Sequence, residues 1–348
     1  MSVIDVKVEN GYKIEISRGI LQKIGEKCRP LLPKTEKVLI VSDSVVAPLY
    51  LATARKSLLN AGFDVKTLTF EAGEKSKTLD TFGKILNAAA SLGFCRDDAF
   101  VALGGGVVGD ITGFAAACYM RGIRYVQVPT SLLAAIDSSI GGKTGADIDA
   151  GKNLIGAFCQ PAGVFFDPDV LSTLPEKEWK NGLGEGVKYA VLCGGKIAEI
   201  LKDGLNSDNL EKFCSLCASY KAKIVELDEK ESGPRQLLNL GHTVGHAEEK
   251  LSSYSVPHGE AVAAGIKVMA KASRKCGELS ENDCEEILSM LSSCGLSRDP
   301  LYTACDLAKA ASSDKKKHNG GINVVTIKAI GDCRITKMTL EEFGEYIK

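Results

Sequence analysis

Strand and helix patterns alternate regularly through the first half of the chain, and this alternation limits the possible folds most. The predicted elements are apolar strands at 37–43, 64–70, 99–106 and 123–130, with helices between them at 46–62, 78–93 and 109–120. Because strands that alternate with helices at this spacing pair in parallel through crossover connections, we predict an α/β domain with a parallel sheet. A short run at 163–168 is predicted as its last strand.

The pattern changes after Pro168. Helical patterns then follow one another at 176–204, 207–230, 239–253, 258–277, 281–294 and 301–312, and only 322–328 and 333–338 look extended. A chain of 348 residues is long for one core. We therefore predict two domains, an α/β domain over 1–170 and a mostly helical domain over 171–348.

Charge and hydropathy exclude several classes of protein. The formal net charge is −1, whereas a nucleic-acid binder usually carries a basic excess. The segment 2–17 alternates as two strands around a turn at 9–11 and does not resemble a signal peptide. The longest low-charge run, 99–120, contains Asp110 and three consecutive glycines, which disfavours a membrane span. We expect a cytoplasmic protein with neither nucleic acid nor membrane as a partner.

Twelve cysteines without an export signal favour free thiols over a disulfide scaffold. Cys214 and Cys217 form a lone CxxC within a helical pattern. A zinc ribbon needs a second such pair, so we interpret these two cysteines as packing residues.

A glycine-rich turn, "GGGVVGD" at 104–110, lies between a predicted strand and a predicted helix. Such a turn allows close approach of a phosphate to free helical N–H groups, although a turn without a ligand is about as probable from this pattern alone. Asp43 ends the first strand of the sheet, where a carboxylate can hold a ribose. Lys75 and Lys77 follow the next strand, so the three features together favour a nucleotide.

The segment 129–158 mixes apolar residues and glycines with Asp137, Lys143, Lys152 and Asn153. We interpret it as a buried loop whose charged groups serve a ligand. The alternative is a long structural crossover.

Three of the four histidines lie within residues 239–262. His242 and His246 are spaced i, i+4, which places them on one face of a helix, and His258 follows twelve residues later. Catalytic zinc commonly takes three protein ligands. No glutamate lies between the first pair, which disfavours a metalloprotease, and the spacing does not decide which histidines bind metal.

Two further segments carry charged groups. Glu185 and Lys188 are spaced i, i+3 among glycines, which indicates either a surface ion pair or close approach of another element. The segment 219–239 holds Lys221, Arg235 and Asn239, and composition alone does not distinguish it from a solvated helix face.

Several long motifs, in the same order and spacing, resemble the 3-dehydroquinate synthase family of sugar-phosphate cyclases over essentially the whole chain. They are "GGGVVGD", "MRG", "VPTSLLAAIDSSIGGKTG", "GKNLIGAF", "GEGVKY", "DEKESGPRQLLNLGHTVGHAEE" and "PHGEAVAAG". The resemblance implies a Rossmann-like N-terminal domain, a helical C-terminal domain, NAD, and a divalent metal, zinc or cobalt. At 182–190 the chain reads "GLGEGVKYA" where "GLAEVIKYG" is usual, and Cys159 stands where an aromatic residue is common; neither is a predicted functional position.

The resemblance also implies roles for individual residues. The implied metal ligands are Glu185, His242 and His258, whereas His246 is left for substrate or proton relay. The implied NAD contacts are Asp43, Glu74, Lys75, Lys77, Gly105, Gly106, Val107, Asp110, Thr130, Ser131, Lys143, Lys152 and Thr173. The implied substrate and catalytic residues are Asp137, Lys143, Asn153, Lys188, Lys221, Arg235, Asn239 and His246, with Lys315 or Lys316 and, across a homodimer interface, Arg121.

In this family the substrate is 3-deoxy-D-arabino-heptulosonate 7-phosphate. The implied reaction is transient oxidation by NAD, β-elimination of phosphate, re-reduction, and intramolecular aldol closure to 3-dehydroquinate. The alternatives are another sugar-phosphate cyclase, such as a 2-deoxy-scyllo-inosose synthase, and a metal-dependent polyol dehydrogenase. A non-catalytic metal- and nucleotide-binding module would leave Lys188, Lys221, Arg235 and Asn239 without a role.

Overall fold

The computed structural model describes residues 1–314 and 321–348. It divides into two compact units, one formed by Met1–Leu174 with Lys221–Lys230, the other by Pro175–Tyr220 with Glu231–Lys348. As a division of function, the boundary near residue 170 stays a prediction.

The first unit contains a seven-stranded sheet and its crossover helices. Its elements are β1 (Ser2–Val6), β2 (Tyr12–Ile16), α1 (Ile24–Leu31), β3 (Lys37–Asp43), α2 (Ala52–Asn60), β4 (Asp64–Phe70), α3 (Leu79–Ser91), β5 (Ala99–Gly104), α4 (Gly106–Cys118), β6 (Arg124–Pro129), β7 (Lys143–Ile148), β8 (Gly151–Phe158) and β9 (Gly163–Phe166). The strand order is β1-β2-β9-β6-β5-β3-β4. All neighbours pair in parallel except the β1–β2 hairpin, which confirms the predicted α/β class.

The sheet is buried because its central strands are apolar throughout. Every residue of β5 is buried, as are the five central residues of β3. Phe100 of β5 packs in one apolar cluster with Ile85 of α3 and Ile111 of α4. Parallel strands covered by helices on their faces read as continuous apolar runs, which is why the sequence pattern located them.

The segment 129–158 differs from the predicted buried loop. Residues 134–138 form a short helical turn, and β7 and β8 form a separate antiparallel hairpin. One face of β8 is exposed at Leu154 and Phe158. The prediction was wrong because alternation across a two-stranded hairpin was interpreted as irregular backbone.

The second unit is mostly helical, as predicted. Its elements are α5 (Glu176–Cys193), α6 (Gly195–Asp203), α7 (Leu210–Leu227), α8 (His242–Leu251), α9 (His258–Lys275), α10 (Glu281–Ser293), α11 (Ala304–Asp314), β10 (Ile322–Ala329), β11 (Asp332–Met338) and α12 (Leu340–Tyr346). The last residues of α7, from Lys221 onward, belong to the first unit. Strands β10 and β11 pair as an antiparallel hairpin. In the described part of the chain, no helix has the length and apolar character needed to cross a membrane.

Candidate active site

Three side chains from three helices converge in the second unit. Glu185 lies in α5, while His242 and His258 are the first residues of α8 and α9. Oε1 of Glu185 lies 3.1 Å from Nε2 of His258 and 3.5 Å from Nε2 of His242. One ligand atom from each of the three residues lies within 4.8 Å of the others. A carboxylate and two imidazoles at this separation can hold one divalent cation.

Glycines allow these helices to approach closely. A Cβ on Gly184, next to Glu185, would lie 2.1 Å from the carbonyl oxygen of Gly259, next to His258. A Cβ on Gly259 would lie 1.9 Å from the carbonyl oxygen of Asn181. The Asn181 side chain also accepts a 2.6 Å hydrogen bond from the backbone N–H of Gly259. The backbones of α5 and α9 are therefore in direct contact beside Glu185 and His258, two of the candidate metal ligands.

Hydrogen bonds at Nδ1 orient both imidazoles of the cluster. Nδ1 of His242 lies 3.1 Å from the carbonyl oxygen of Leu240, and Nδ1 of His258 lies 3.2 Å from Oε2 of Glu249. A neutral histidine that donates from Nδ1 has its lone pair on Nε2, and His258 reaches this state once a metal displaces its second proton. Both Nε2 atoms face Glu185, so the geometry fits metal binding through Nε2.

The two imidazoles differ in their affinity for a proton. Burial, Lys188 and the neighbouring histidines hold the pKa of His242 well below its usual range. Burial also opposes the charged form of His258, but hydrogen bonds to Glu185 and Glu249 raise its pKa to about 10. The Lys188 ammonium pairs with Oε2 of Glu185, and both side chains are 2% exposed. The pair is therefore buried, and the alternative of a surface ion pair is wrong.

His246 lies one turn after His242 and is exposed. Its ring centroid is 5.2 Å from that of His242 and 6.0 Å from that of His258. His246, Glu249 and His258 form a second possible metal set among the described residues. The two sets share the imidazole of His258. Glu249, the carboxylate of the second set, lies at the Nδ1 side of that ring, whereas Glu185, the carboxylate of the first set, lies at the Nε2 side.

The remaining substrate candidates of the second unit are Arg235 and Asn239. Both lie in the helical turn 234–239, just before α8. Arg235 is 1% exposed, and the Asn239 amide donates a 3.2 Å hydrogen bond to Oε1 of Glu231. The turn therefore places a buried guanidinium and an anchored amide directly before the helix that carries His242.

The glycine-rich turn of the first unit leads directly into the start of a helix. Gly105 precedes α4, whose N-terminus has no side-chain cap. A Cβ on Gly105 would lie 3.4 Å from Oγ of Ser131, and a Cβ on Gly106 would lie 3.0 Å from Oγ of Ser138. Uncapped helical N–H groups beside two hydroxyls form a surface that fits a pyrophosphate.

Most of the other nucleotide candidates lie after the carboxyl ends of the strands or in the β7–β8 hairpin, whereas Val107 lies in α4 and Thr173 in the helical turn 168–173. Oδ1 of Asp43, at the end of β3, accepts hydrogen bonds from the N–H groups of Val45 and Val46 at 2.9 and 2.8 Å. Thr130 and Ser131 follow β6. Glu74 and Lys75 are exposed, and the Glu74 carboxylate lies 3.4 Å from Nζ of Lys152. Val107 is half-buried within α4, and the Thr173 hydroxyl forms a hydrogen bond with the Tyr50 hydroxyl.

Two lysines of the first unit are engaged in internal contacts. Lys77 donates to Asp110 and to Asn153, both at 2.6 Å. Lys221 donates to the carbonyl oxygen of Asp137 at 2.8 Å and also pairs with its carboxylate. Lys143 begins β7 and is exposed.

Arg121 is exposed in the turn between α4 and β6. Met120 and Arg121 both have positive φ angles, of 49° and 67°, which is uncommon for residues other than glycine. Lys315 and Lys316 lie outside the described residues. Cys214 and Cys217 are buried in α7, and neither belongs to a possible metal set in the described ranges.

Sequence reasoning missed Glu249 as the partner of His258. Glu248 and Glu249 are adjacent, and both are buried. Glu248 instead forms a two-pronged pair with Arg298, at 2.7 and 3.1 Å. The histidine spacing offered no signal to choose between them.

Comparison with known proteins covers both halves of the chain. Family models described as 3-dehydroquinate synthase N-terminal and C-terminal match residues 67–181 and 182–317. A 3-dehydroquinate synthase of Clostridium kluyveri is 39% identical, covering 98% of this chain and 97% of the relative.

Solved structures resemble the chain over nearly its full length. A 2-deoxy-scyllo-inosose synthase complexed with carbaglucose-6-phosphate, NAD+ and Co2+ is 26% identical, with a TM-score of 0.89 and 99% of each chain covered. A 2-epi-5-epi-valiolone synthase from Streptomyces hygroscopicus, with NAD+ and Zn2+ bound, has a TM-score of 0.84 at 24% identity, covering 98% of this chain and 96% of its own. The second likeness is one of fold.

Proposed function

Because the chain belongs to the 3-dehydroquinate synthase family, we propose that it converts 3-deoxy-D-arabino-heptulosonate 7-phosphate to 3-dehydroquinate and phosphate. The observation that carries this proposal in the structure is the convergence of Glu185, His242 and His258 on one point. The reaction eliminates phosphate and closes a carbocycle, so the enzyme is a carbon–oxygen lyase.

We propose NAD and one divalent metal, zinc or cobalt, as cofactors. The Glu185, His242 and His258 atoms fit the metal, and related cyclase structures contain NAD+ with Co2+ or Zn2+. When bound, the metal would supply Lewis-acid polarisation of substrate hydroxyls, and NAD would supply a reversible hydride acceptor. Gly105, Gly106 and Ser131 would hold the pyrophosphate, and Asp43 a ribose.

The side chains around the cluster would handle the substrate's protons and charges. Lys188, beside Glu185, would donate to a substrate oxygen. His246 would accept or return a hydroxyl proton at its ring nitrogen, because it is exposed and is not needed as a ligand in the first metal set. Arg235 and Asn239 would bind the substrate's anionic or hydroxyl oxygens. Lys143 and Asn153 of the first unit would donate to the phosphate.

We further propose a homodimer in the cytoplasm. The family resemblance implies that Arg121 contacts the substrate phosphate bound by the partner subunit. Arg121 is exposed in the turn at 120–122, so its side chain is available for such a contact. The twelve cysteines are free thiols, which suits a reducing compartment.

The principal alternative is another sugar-phosphate cyclase. The 2-deoxy-scyllo-inosose synthase structure shares the fold at 26% identity. The relative named for the dehydroquinate reaction is closer in sequence, at 39%, and therefore favours that substrate. A polyol dehydrogenase is the second alternative, and its redox balance distinguishes it.

The test is incubation of the purified protein with the heptulosonate phosphate, NAD and zinc. We expect stoichiometric release of phosphate and formation of 3-dehydroquinate without accumulation of NADH, because NAD is regenerated in each turnover. Equimolar NADH would support a dehydrogenase. Turnover of glucose 6-phosphate with none of the heptulosonate would support the other cyclase.

A further inference from the structure

Asn153 adopts an unusual backbone conformation within the β7–β8 hairpin. Its φ angle is +53°, in the left-handed region, which is uncommon for residues other than glycine, although asparagine adopts it more readily than most. Its backbone N–H donates a 2.8 Å hydrogen bond to Oδ1 of Asp147. The Asp147 carboxylate therefore holds the residue in a conformation that the chain would otherwise disfavour.

The side chain of Asn153 is fixed separately, by Lys77. Nζ of Lys77 lies 2.6 Å from Oδ1 of Asn153 and 2.6 Å from Oδ2 of Asp110. An ammonium group only donates hydrogen bonds, so the amide atom that faces Lys77 must be the oxygen. The Nδ2 group then points away from Lys77, and it donates to no residue in the described ranges.

The two tethers belong to one framework. The backbone N–H of Asp147 donates a 2.7 Å hydrogen bond to the carbonyl oxygen of Lys77, and Thr78 forms a β-bridge with Asp147. The segment that carries Lys77 is thus bonded to the strand that carries Asp147. The backbone of Asn153 is therefore held by Asp147 and its side chain by Lys77, and these two residues are bonded to each other through their backbones.

Lys77 is suited to this role because it is buried and remains charged. Burial opposes its ammonium form, but Asp110 and Glu74 raise the pKa of Lys77 above its usual value. Lys77 as a whole is 4% exposed. Its ammonium group already contacts two oxygens inside the unit, whereas the Asn153 side chain is exposed.

We propose that Lys77 and Asp147 are positioning residues that present Nδ2 of Asn153 as a hydrogen-bond donor to an oxygen of the substrate's phosphate. This inference rests on the proposed function, since it takes the sugar phosphate as the ligand of Asn153. Neither positioning residue touches the substrate. Lys77 acts through the Asn153 amide and Asp147 through the Asn153 backbone.

The experiment compares Asp147→Ala, Asp147→Asn and Asn153→Ala in the full chain with bound metal. Asp147→Ala should raise KM for the sugar phosphate about tenfold, as expected when one hydrogen bond to a charged group is lost, with a smaller change in kcat. Asp147→Asn keeps the acceptor oxygen and should restore KM. Asp149→Ala is the matched control, because it removes an exposed carboxylate from the same hairpin and should leave KM unchanged.

A double-variant comparison then separates positioning from direct contact. Asp147→Ala should add nothing to KM in the Asn153→Ala background, because its effect passes through Asn153. The same should hold for Lys77→Met at the level of KM. The dissociation constant for NAD should not change in Asp147→Ala or Asp147→Asn, whereas Lys77→Met is not used for this control because Lys77 is also a candidate NAD contact. Additive effects, a weakened NAD affinity in Asp147→Ala, or an Asp147→Ala variant with normal KM would each overturn the inference.

A further measurement distinguishes failure of this inference from failure of the proposed function. If the wild-type protein does not turn over the heptulosonate phosphate, the same variants are compared by binding of inorganic phosphate, measured by calorimetry. Weaker phosphate binding by Asp147→Ala and Asn153→Ala, but not by Asp149→Ala, would still support the positioning role. Unchanged phosphate binding would overturn it.

Discussion

Oε2 of Glu249 lies 3.2 Å from Nδ1 of His258, on the opposite side of the ring from the 3.1 Å contact between Nε2 and Glu185. This carboxylate fixes the ring plane and the tautomer of a proposed metal ligand. Carboxylates in this position raise the basicity of the imidazole and orient it toward the metal.

We predict that Glu249→Gln lowers zinc affinity by roughly 10- to 100-fold. The physical reason is that a neutral amide no longer stabilises the Nδ1–H of His258 as a carboxylate does. Chelator competition with the purified variant measures the affinity. Glu248→Gln is the control, since its side chain bonds Arg298; it should lower the free energy of unfolding by about 1–3 kcal/mol and leave zinc affinity intact. Equal loss of zinc in both variants would contradict the assignment.

The three histidines should separate by function. Replacing His242 or His258 by Ala should remove bound metal and activity together. His246→Ala should keep one metal per chain and reduce kcat by roughly 10²- to 10⁴-fold, the usual contribution of an acid–base group. Metal content by mass spectrometry, measured beside turnover, tests this. Metal loss in His246→Ala would favour the set that contains His246, Glu249 and His258.

Metal binding should release one proton near pH 7.5. In the metal-free protein the pKa of His258 is raised to about 10, so this ring is protonated, whereas the lowered pKa of His242 keeps that ring neutral. The cation displaces the His258 proton, so zinc affinity should rise with pH up to about 10 and fall at lower pH. Calorimetry in buffers with different ionisation enthalpies counts the protons. Release of zero or of two protons would show that His258 and His242 do not differ in protonation in this way.

Arg121→Ala should reduce kcat/KM roughly 10- to 100-fold if its guanidinium bonds the phosphate, a contact worth about 1.5–3 kcal/mol. Arg124→Ala is the control, because Arg124 donates to the carbonyl oxygen of Leu31, and it should have little effect.

Mixing Arg121→Ala with the inactive Lys188→Ala variant tests whether Arg121 acts across subunits. Activity should return to at most about a quarter of wild type, since random exchange gives half mixed dimers with one intact site each. No recovery, with subunit exchange shown by a mass label, would place Arg121 in the active site of its own subunit.

The parallel sheet was predictable because β3, β5 and β6 are almost wholly buried and so carry uninterrupted apolar runs. The hairpin of β7 and β8 was not, because half of β8 is exposed and its glycines are typical of loops. Within the site, histidine clustering indicated a metal. The identity of the orienting carboxylate did not follow, since neighbouring helical residues point about 100° apart and a sequence does not record which side is buried.

The glycine contacts between α5 and α9 have a consequence for how this protein can change over time. The close approach of α5 and α9 requires glycine at 184 and 259, so Gly184→Ala or Gly259→Ala would displace the proposed metal ligands without replacing any atom that could bind metal. Mutational tolerance around the cluster is therefore uneven. Substitutions can accumulate on the exposed faces of these helices. A single methyl group added where the helices cross would instead abolish function, although no candidate metal ligand is replaced.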